Sequence, residues 1–327
     1  MSQQLTLFIG PHADDPHTDV VSTHQTKNIN RSVSNGPLKL CVLGSGSGGN
    51  SSVLQLGQQT ILIDAGFGPR TTAKRLHGVK LDLTDIHAIC LTHLDQDHFR
   101  PNWIATLLEH RILVWLHRGH LGALERIKGG DELGRAQLLK VFDGKPFEPV
   151  SGLRATAVHL PHDMKGTTGF LFESNVGRVG YATDLGHVST ELIQRFAGVD
   201  LLAIESNYDP PMQMQSSRPA FLKRRIMGGR GHLSNPEAFE AVQRIVDRSP
   251  AGLPHHIVLL HRSQQCNCPS AVQRVFNQDA RIGPRVVLTE QRRRSRWLTV
   301  TPNDPDKTSE RISDHSCGAS AGSPSAV

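Results

Sequence analysis

The chain has 327 residues, a formal net charge of +6, 37% hydrophobic residues and 18 histidines. This composition can fill a core, which argues against wholesale disorder, and no run approaches the roughly 18 apolar residues of a membrane span. Five cysteines form no secreted disulfide framework and no secretory signal is visible. We therefore expect a soluble, cytoplasmic protein with reduced thiols, whose mild basic excess permits a phosphate-bearing partner.

The hydrophobic pattern divides the chain into a core and two tails. Residues 1–36 and 302–327 are polar and lack a hydrophobic period, which predicts disordered tails. Between them, early β-type runs such as SSVLQL and TILIDAG are joined by Gly-containing turns. Later runs such as LLAIES alternate with helical patterns such as PEAFEAVQRIVDRS. No repeat or linker divides this stretch, so residues 37–301 are predicted to form one mixed α/β domain.

The strongest local signal is the segment ICLTHLDQDHFRPNW, in which an apolar strand runs into a cluster of potential metal ligands. These are His93, Asp95, Asp97 and His98. They lie on a turn, where side chains can converge on a small volume and alternate ones can face two metals. Helix capping would explain one aspartate but not two histidines and two carboxylates. The segment therefore predicts a metal-binding loop.

Other candidate residues also follow apolar strands, namely Asp64, His162, Asp184 and His261. Functional residues of α/β proteins collect at strand ends because the strand fixes the side chain while the following loop opens to solvent. The repetition of this pattern indicates a single site assembled from several strand ends.

The order of these residues resembles the metallo-β-lactamase superfamily, whose signature is H-x-H-x-D-H with later His, Asp and His ligands. Within it, the sequence is similar to the YycJ/WalJ group of hydrolases. The matching stretches include GSGSGGNSSVL, ILIDAG, THLDQDH, YATDLGHV, LKRRIMGGRGHLSN and LLHRSQQCN. The resemblance implies an α/β fold, a four-layer αββα sandwich of two mixed β-sheets, with a dinuclear metal centre at one edge of the sheets.

Position by position, the resemblance implies a set of metal ligands. His93 and His162 would hold the first metal, and Asp184 would bridge the two metals. The second metal would be held by Asp97, His98 and His261. Asp64 is expected to orient the ligand loop by hydrogen bonding.

One position departs from the signature, because Asp95 stands where the family has its second histidine. As a metal ligand, its carboxylate makes the first site harder and more anionic, which favours Mn²⁺ or iron over Zn²⁺. We expect two divalent metal ions, Zn²⁺ or Mn²⁺ with iron as a further option, and a weak or vacant first site stays open. Flavodiiron proteins are similar in carrying a carboxylate there, but nothing in this sequence looks like their flavin domain.

The segment RPAFLKRRIMGGRGH, residues 218–232, contains five Lys and Arg residues and no acid. It leads to a predicted helix start with Asn235 as N-cap, where N–H groups and the helix dipole attract phosphate. A solvated basic helix face would explain the arginines alone. The match of GHLSN to the family favours His232 at the active-site edge, to stabilise an oxyanion or protonate a leaving oxygen. The assignments are substrate binding for Arg225, Arg230 and His232, and catalysis for Asp97, Asp184 and His232.

Several other residues stay open at this level. Asn50 or Ser51 in the GSGSGGN loop, which lacks the P-loop ending, either touches a ligand or only helps to form a tight turn. Glu205 ends an apolar strand and could orient a ligand histidine, but no role is assigned to it. Cys266 and Cys268 are expected to pack rather than to bind zinc.

The implied function is metal-dependent hydrolysis of phosphodiester bonds, in DNA and exonuclease-like, because the resembling group is associated with nuclease activity. Two metals about 3.5–4 Å apart can generate a bridging hydroxide and neutralise charge developing at phosphorus. The basic run QRRRSRW, residues 291–297, is either a contact for DNA or an exposed strand edge. DNA is thus the expected partner, as substrate, with no membrane and no obligate protein partner.

The same ligand set allows other functions. A hydroxide on two metals can also attack a carbonyl, so the first alternative is a small-molecule hydrolase of a lactone, thioester or cyclic nucleotide ester. The departure at Asp95 suggests a diiron redox protein as a second alternative. A non-catalytic binding protein is a third, against which the nearly full ligand set argues.

Overall fold

Two seven-stranded β-sheets form the framework of the residues that the computed structural model describes, 36–249 and 252–302. The strands are β1 (Leu38–Gly44), β2 (Ser51–Leu56), β3 (Gln59–Ile63), β4 (Ala88–Cys90), β5 (Leu113–His117), β6 (Leu139–Phe142), β7 (Phe147–Val150), β8 (Leu153–Leu160), β9 (Thr167–Ser174), β10 (Gly177–Ala182), β11 (Leu201–Glu205), β12 (His256–Leu260), β13 (Val286–Leu288) and β14 (Leu298–Thr299). The predicted tails lie outside the described residues, apart from Gly36 and Pro302, so the domain boundaries stay a prediction.

Helices connect these strands and cover the sheets. They are α1 (Pro69–His77), α2 (Trp103–His110), α3 (Leu121–Leu124), α4 (Gly130–Arg135), α5 (Thr190–Phe196), α6 (Pro210–Gln215), α7 (Ala220–Met227), α8 (Asn235–Asp247) and α9 (Pro269–Phe276). Short 3₁₀ turns occur at Leu83–Asp85, Arg118–His120 and Gly283–Arg285. Within the described residues, no helix is both long and apolar enough to pass through a membrane.

Both sheets are mixed, and both change from antiparallel to parallel pairing along the chain. The first sheet has the order β14-β1-β2-β3-β4-β5-β6, with β1 to β3 antiparallel and β3 to β6 parallel. The second has the order β13-β12-β11-β10-β9-β8-β7, with β7 to β10 antiparallel and β10 to β13 parallel. The inner parallel strands LLAIE and HIVLL are almost wholly buried, as expected where both faces are covered.

The core consists of three apolar layers, one between the two sheets and one on the outer face of each sheet. Between the sheets, side chains such as Leu40 and Ile61 of the first sheet meet Phe170 and Phe172 of the second. Trp103 of α2, with residues of α1 and α4, packs on the outer face of the first sheet. Residues of α5, α8 and α9 pack on the outer face of the second. The predicted four-layer αββα sandwich of two mixed sheets is therefore confirmed.

The N-cap of helix α8 is Ser234, one residue before Asn235, which the sequence predicted as the cap. Ser234 has extended backbone, its hydroxyl accepts the N–H of Glu237, and the Glu237 carboxylate accepts the N–H of Ser234. Asn235, the predicted N-cap, is instead the first helical residue and is buried, with its amide bonded to Ser206 and Asn267. The negative charge of Glu237 at this end of the helix would repel a phosphate, so the phosphate site expected from the sequence is not favoured here.

The packing between the sheets predicts a large effect of truncating Phe170, which is fully buried there. We expect Phe170→Ala to lower the free energy of unfolding by about 3–5 kcal/mol, because it removes a buried ring and leaves a cavity. The matched control is Phe221→Ala on α7, whose residue is 66% exposed and should change stability by less than about 0.5 kcal/mol. Urea unfolding followed by circular dichroism measures both, and equal midpoints would contradict this core.

Candidate metal centre

The candidate ligands gather at one edge of the sandwich, where strands of both sheets end. In the first sheet, Asp64 follows β3 and the loop with His93 follows β4. In the second sheet, His162 follows β8, Asp184 follows β10 and His261 follows β12. The site is thus assembled from both sheets, as the strand-end pattern indicates.

Three of these residues have left-handed backbone, with φ values of 63° at Asp64, 54° at Asp184 and 52° at His261. Such a conformation costs a non-glycine residue of the order of 1–3 kcal/mol and persists only where the surrounding structure fixes it. The turn that follows each strand is therefore strained at the residues that the sequence singles out. Close packing accompanies this strain, since a side chain at Gly66 would overlap the backbone carbonyl of Asp97.

The predicted ligands form three overlapping groups whose donor atoms lie within 4.8 Å of one another: His93, Asp95 and His162; Asp97, His98 and His261; and His93, His98 and Asp184. Asp184 joins the first two groups, because its Oδ2 atom lies 2.6 Å from His98 Nε2 and 3.6 Å from His93 Nε2. The structure thus brings all the predicted ligands together, while their division between two metals stays a prediction.

Asp64 lies where an orienting residue is needed. Its fully buried carboxylate is 2.8 Å from His98 Nδ1 and accepts the backbone N–H and the hydroxyl of Thr92. Because a carboxylate only accepts hydrogen bonds, this contact keeps a proton on Nδ1 and leaves Nε2 for a metal. Burial alone would lower the pKa of His98, but the carboxylates of Asp184 and Asp64 outweigh it and raise that pKa well above its usual value.

Glu205 is a central residue of the site to which sequence reasoning assigned no role. Its carboxylate is fully buried, with Oε1 2.8 Å from His232 Nδ1 and 3.1 Å from His261 Nδ1. Its Oε2 accepts the backbone N–H groups of Leu185 and Leu233. Its position at the end of an apolar strand, the pattern that singled out Asp64, Asp184 and His261, was the signal that could have identified it.

His232 belongs to the cluster rather than to its edge. It forms a further group with Asp184, Glu205 and His261, and its ring centroid is 5.3 Å from that of His162. Burial alone would lower the pKa of His232, but the charges of Glu205 and Asp184 outweigh it and raise the pKa to about 10. Its side chain is 21% exposed, so one part of the ring still reaches the cleft.

The donor atoms fit divalent metal ions. The buried Oδ1 atom of Asp184 accepts no well-formed hydrogen bond from the described residues, although Nδ1 of His261 and of His232 lie 3.1 and 3.4 Å away. A buried carboxylate oxygen without a partner is costly unless a cation satisfies it. Imidazole and carboxylate donors together suit Zn²⁺, Mn²⁺ and iron.

The two carboxylates of the ligand loop differ in exposure. Asp97 Oδ2 is 3.3 Å from His261 Nε2, and the Asp97 side chain is 26% exposed. Asp95 Oδ2 is 3.8 Å from His93 Nε2, and its side chain is 59% exposed. The departure from the family signature therefore lies on the solvent side of the centre.

The predicted substrate-binding arginines line a cavity of about 560 Å³ beside the centre. Arg225 and Arg230 share this cavity with His93, Asp95 and His162. Arg225 is also paired with Asp163, with distances of 3.2 Å from Nε to Oδ1 and 2.5 Å from Nη2 to Oδ2. The charge of Arg225 is therefore opposed within the chain, which the sequence did not indicate.

The structure gives the contacts of the residues whose roles the sequence did not decide. Asn50 Nδ2 lies 2.9 Å from His98 Nε2, which places the GSGSGGN loop against the cluster, while Ser51 donates to the Asp64 carbonyl. Cys266 is buried against Tyr208 and Ile226, as expected, whereas Cys268 is only half-buried.

The aromatic residue of the QRRRSRW run is occupied within the protein. Trp297 packs against the outer cluster of the first sheet, and the ammonium group of Lys39 lies 4.8 Å from its ring. This contact argues against stacking of Trp297 on a base, and the run itself lies just before the edge strand β14 rather than in a strand.

The sequence is similar to that of known proteins of one family. A family model described as beta-lactamase superfamily domain matches residues 59–261. The chain is 26% identical over 230 residues to the exodeoxyribonuclease YycJ of Bacillus anthracis. The aligned region covers 70% of this chain and 84% of that protein. It is 25% identical over 206 residues to the exodeoxyribonuclease WalJ of Streptococcus pneumoniae serotype 2, covering 63% and 76%.

The fold has a solved counterpart. The metallo-beta-lactamase fold protein YhfI from Bacillus subtilis superposes with a TM-score of 0.60 at 15% identity, over 80% of this chain and 99% of that one. This similarity supports the sandwich architecture.

The contact between Asp64 and His98 predicts a loss of metal affinity when the carboxylate is removed. We expect Asp64→Asn to weaken divalent-metal binding by about 10- to 100-fold, because His98 loses the acceptor that orients it. Competition with a chelating dye measures the affinity, and circular dichroism establishes that the variant is folded. Asp131→Asn, at an exposed residue paired with Arg135, is the control, and equal affinities of both variants would contradict the role of Asp64.

Proposed function

The chain belongs to the beta-lactamase superfamily, and we propose that it is a dinuclear metal-dependent phosphodiesterase that degrades DNA in the manner of an exonuclease. Membership of this family and the exodeoxyribonuclease names of its relatives support a metallo-hydrolase, and the candidate ligand cluster supports divalent metal ions as its cofactors. The single observation on which the dinuclear proposal depends is the position of Asp184 between the two ligand groups, with a buried oxygen that accepts no well-formed hydrogen bond from the described residues.

The proposed ligands divide into two sets. His93, His162 and Asp95 would hold the first ion, and Asp184 would contribute to both sites. The second ion would be held by Asp97, His98 and His261. When bound, such ions ionise water and offset the negative charge that develops at a phosphoryl group.

The chain's own side chains would orient these ligands and supply a proton. Asp64 holds the ring of His98, and Glu205 holds the rings of His261 and His232. Because Nδ1 of His232 is engaged by Glu205, Nε2 is the atom left to give a proton to the leaving oxygen. We assign the general-acid role to His232 on this geometry.

An extended, anionic substrate suits the surroundings of the centre. Two cavities of about 230 and 560 Å³ are both lined by His162, Asp163 and Arg225, so open space continues past the candidate ligand His162 from one cavity to the other. Arg225, Arg230 and Lys165 line the larger cavity. The names of the YycJ and WalJ relatives, both exodeoxyribonucleases, support DNA over a lactone or thioester as the substrate.

Removal of the Asp184 carboxylate tests the proposed function. We expect wild-type protein to degrade end-labelled DNA, and either metal chelation or Asp184→Asn to reduce the rate by about 10³-fold or more, since the ions contribute several kcal/mol to stabilising charge. Asp131→Asn should retain wild-type activity.

A substrate comparison provides the decisive contrast for the same experiment. DNA binding should weaken steeply with salt because several cations contact phosphates. Hydrolysis of a lactone in the absence of any DNA or phosphodiester cleavage would instead assign the protein to the small-molecule hydrolases.

The carboxylate at position 95 predicts the metal preference of the first site. We expect wild-type protein equilibrated with equal Zn²⁺ and Mn²⁺ to retain more Mn²⁺ than Asp95→His, because imidazole is a softer donor than carboxylate. Elemental analysis after removal of free metal gives the ratio. Because the Asp95 side chain is 59% exposed, the substitution should leave the fold unchanged, and an unchanged ratio would show that Asp95 is not a ligand.

A further inference from the structure

We propose that Arg218 forms a phosphate-binding subsite beside the metal ligands and holds a phosphate of the substrate other than the one that is cleaved. This inference rests on the function proposed above, because it specifies how a nucleic-acid strand is held. Arg218 lines the cavity of about 230 Å³ that also contains His162, His232 and His261.

The guanidinium group of Arg218 is held entirely by neutral oxygen atoms. Its Nε, Nη1 and Nη2 atoms donate to Gln265 Oε1 at 3.0 Å, Gln213 Oε1 at 3.2 Å and Ser263 Oγ at 3.3 Å. Among the described residues, no carboxylate forms an ion pair with it. A guanidinium has five N–H donors, so these contacts leave one N–H on each terminal nitrogen for a ligand.

Two of the three partners of Arg218 belong to the protein interior, whereas Gln265 is exposed. Gln213 is fully buried on α6, and its Nε2 atom has no hydrogen-bond partner among the described residues. Burying an amide with its donor unsatisfied is unfavourable, yet the other end of this amide orients Arg218. Ser263 is also buried. The guanidinium is thus pre-ordered before any ligand arrives, which reduces the entropy lost on binding.

The neighbouring cations differ from Arg218 in charge balance or exposure. Arg225 forms a bidentate pair with Asp163 and is exposed, whereas Arg218 is half-buried. Lys223 is bonded to the carbonyl of Met214, and Arg230 is exposed. A half-buried guanidinium without an opposing carboxylate matches a phosphate group, which it can bind in bidentate fashion.

The position of Arg218 favours a phosphate next to the reacting one. None of its three hydrogen-bond partners is a candidate metal ligand. Other donors on the same cavity wall are the hydroxyl groups of Ser47 and Ser263. The one carboxylate that lines this cavity, among the described residues, is Asp163, whose charge is met by Arg225. The wall around Arg218 therefore carries net positive charge.

The experiment measures DNA affinity and turnover in metal-loaded Arg218→Gln, with Arg244→Gln as control. Arg244 is on α8, away from this cavity, and is paired with Glu240. Affinity for a cleavage-resistant phosphorothioate oligonucleotide should fall about 10-fold in Arg218→Gln, and the slope of log affinity against log salt should fall by about 0.9, as for the loss of one phosphate contact. KM for DNA should rise far more than kcat falls.

A second variant tests the orienting role of Gln213. Gln213→Leu keeps the charge of Arg218 but removes the acceptor that holds it, so affinity should fall in the same direction and by less than in Arg218→Gln. Urea unfolding establishes that the variant is folded. Oligonucleotides with and without a terminal phosphate identify which phosphate Arg218 holds. If Arg218 holds a terminal phosphate, that phosphate raises the affinity of the wild type but not that of Arg218→Gln. If it holds an internal phosphate, the terminal phosphate changes the affinities of both proteins equally.

The outcomes separate this inference from the proposed function. Equal affinity and salt slope in Arg218→Gln and Arg244→Gln would overturn the subsite, and a fall in kcat with unchanged KM would place Arg218 at the reacting phosphate instead. If the wild type cleaves no DNA, the proposed function fails. Titration with inorganic phosphate then decides the subsite alone: weaker binding by Arg218→Gln supports it, and equal or absent binding refutes it.

Discussion

Negative charge buried at one edge of the sandwich is the constraint on which the arrangement of this protein depends. Asp64, Asp184 and Glu205 are almost completely buried, and an ionised carboxylate is tolerated there only beside cations or hydrogen-bond donors. Histidine rings and backbone N–H groups supply part of that compensation, and divalent ions suit the oxygen and nitrogen atoms that remain. The ligands and the residues that hold them therefore form one electrostatic unit.

The two sheets provide the rigidity that this unit requires. Candidate ligands that follow β4 in the first sheet and β8, β10 and β12 in the second meet at the same edge, where Asp64, Asp184 and His261 have left-handed backbone. A direct link between the halves is the hydrogen bond of 2.7 Å from the His261 N–H to the Ser45 hydroxyl. Binding of metal to this edge would thus stabilise both sheets at once.

Sequence reasoning named the residues that the structure brings together, including Asp64 as an orienting residue, but it did not find the other residues that surround them. Strand-end residues are visible locally, because an apolar run followed by His or Asp needs no knowledge of the fold, and the family resemblance supplied the sandwich. The contacts of Glu205 with His232 and His261 span 27 and 56 residues, and those of Arg225 with Asp163 span 62. Such pairings, like the left-handed turns and the neutral cradle of Arg218, are decided by tertiary packing, which no local pattern encodes.

The pairing of β14 with β1 has a consequence for how the domain can be connected to other proteins. Lys39 is opposite Thr299 and Leu40 opposite Leu298, so the described chain enters and leaves the first sheet through neighbouring strands. Domains with adjacent ends can be grafted into a surface loop of a host with little distortion of either partner. The part of the chain from β1 to β14 could accordingly be inserted into such a loop as a unit, or its ends could be joined and new ones opened elsewhere.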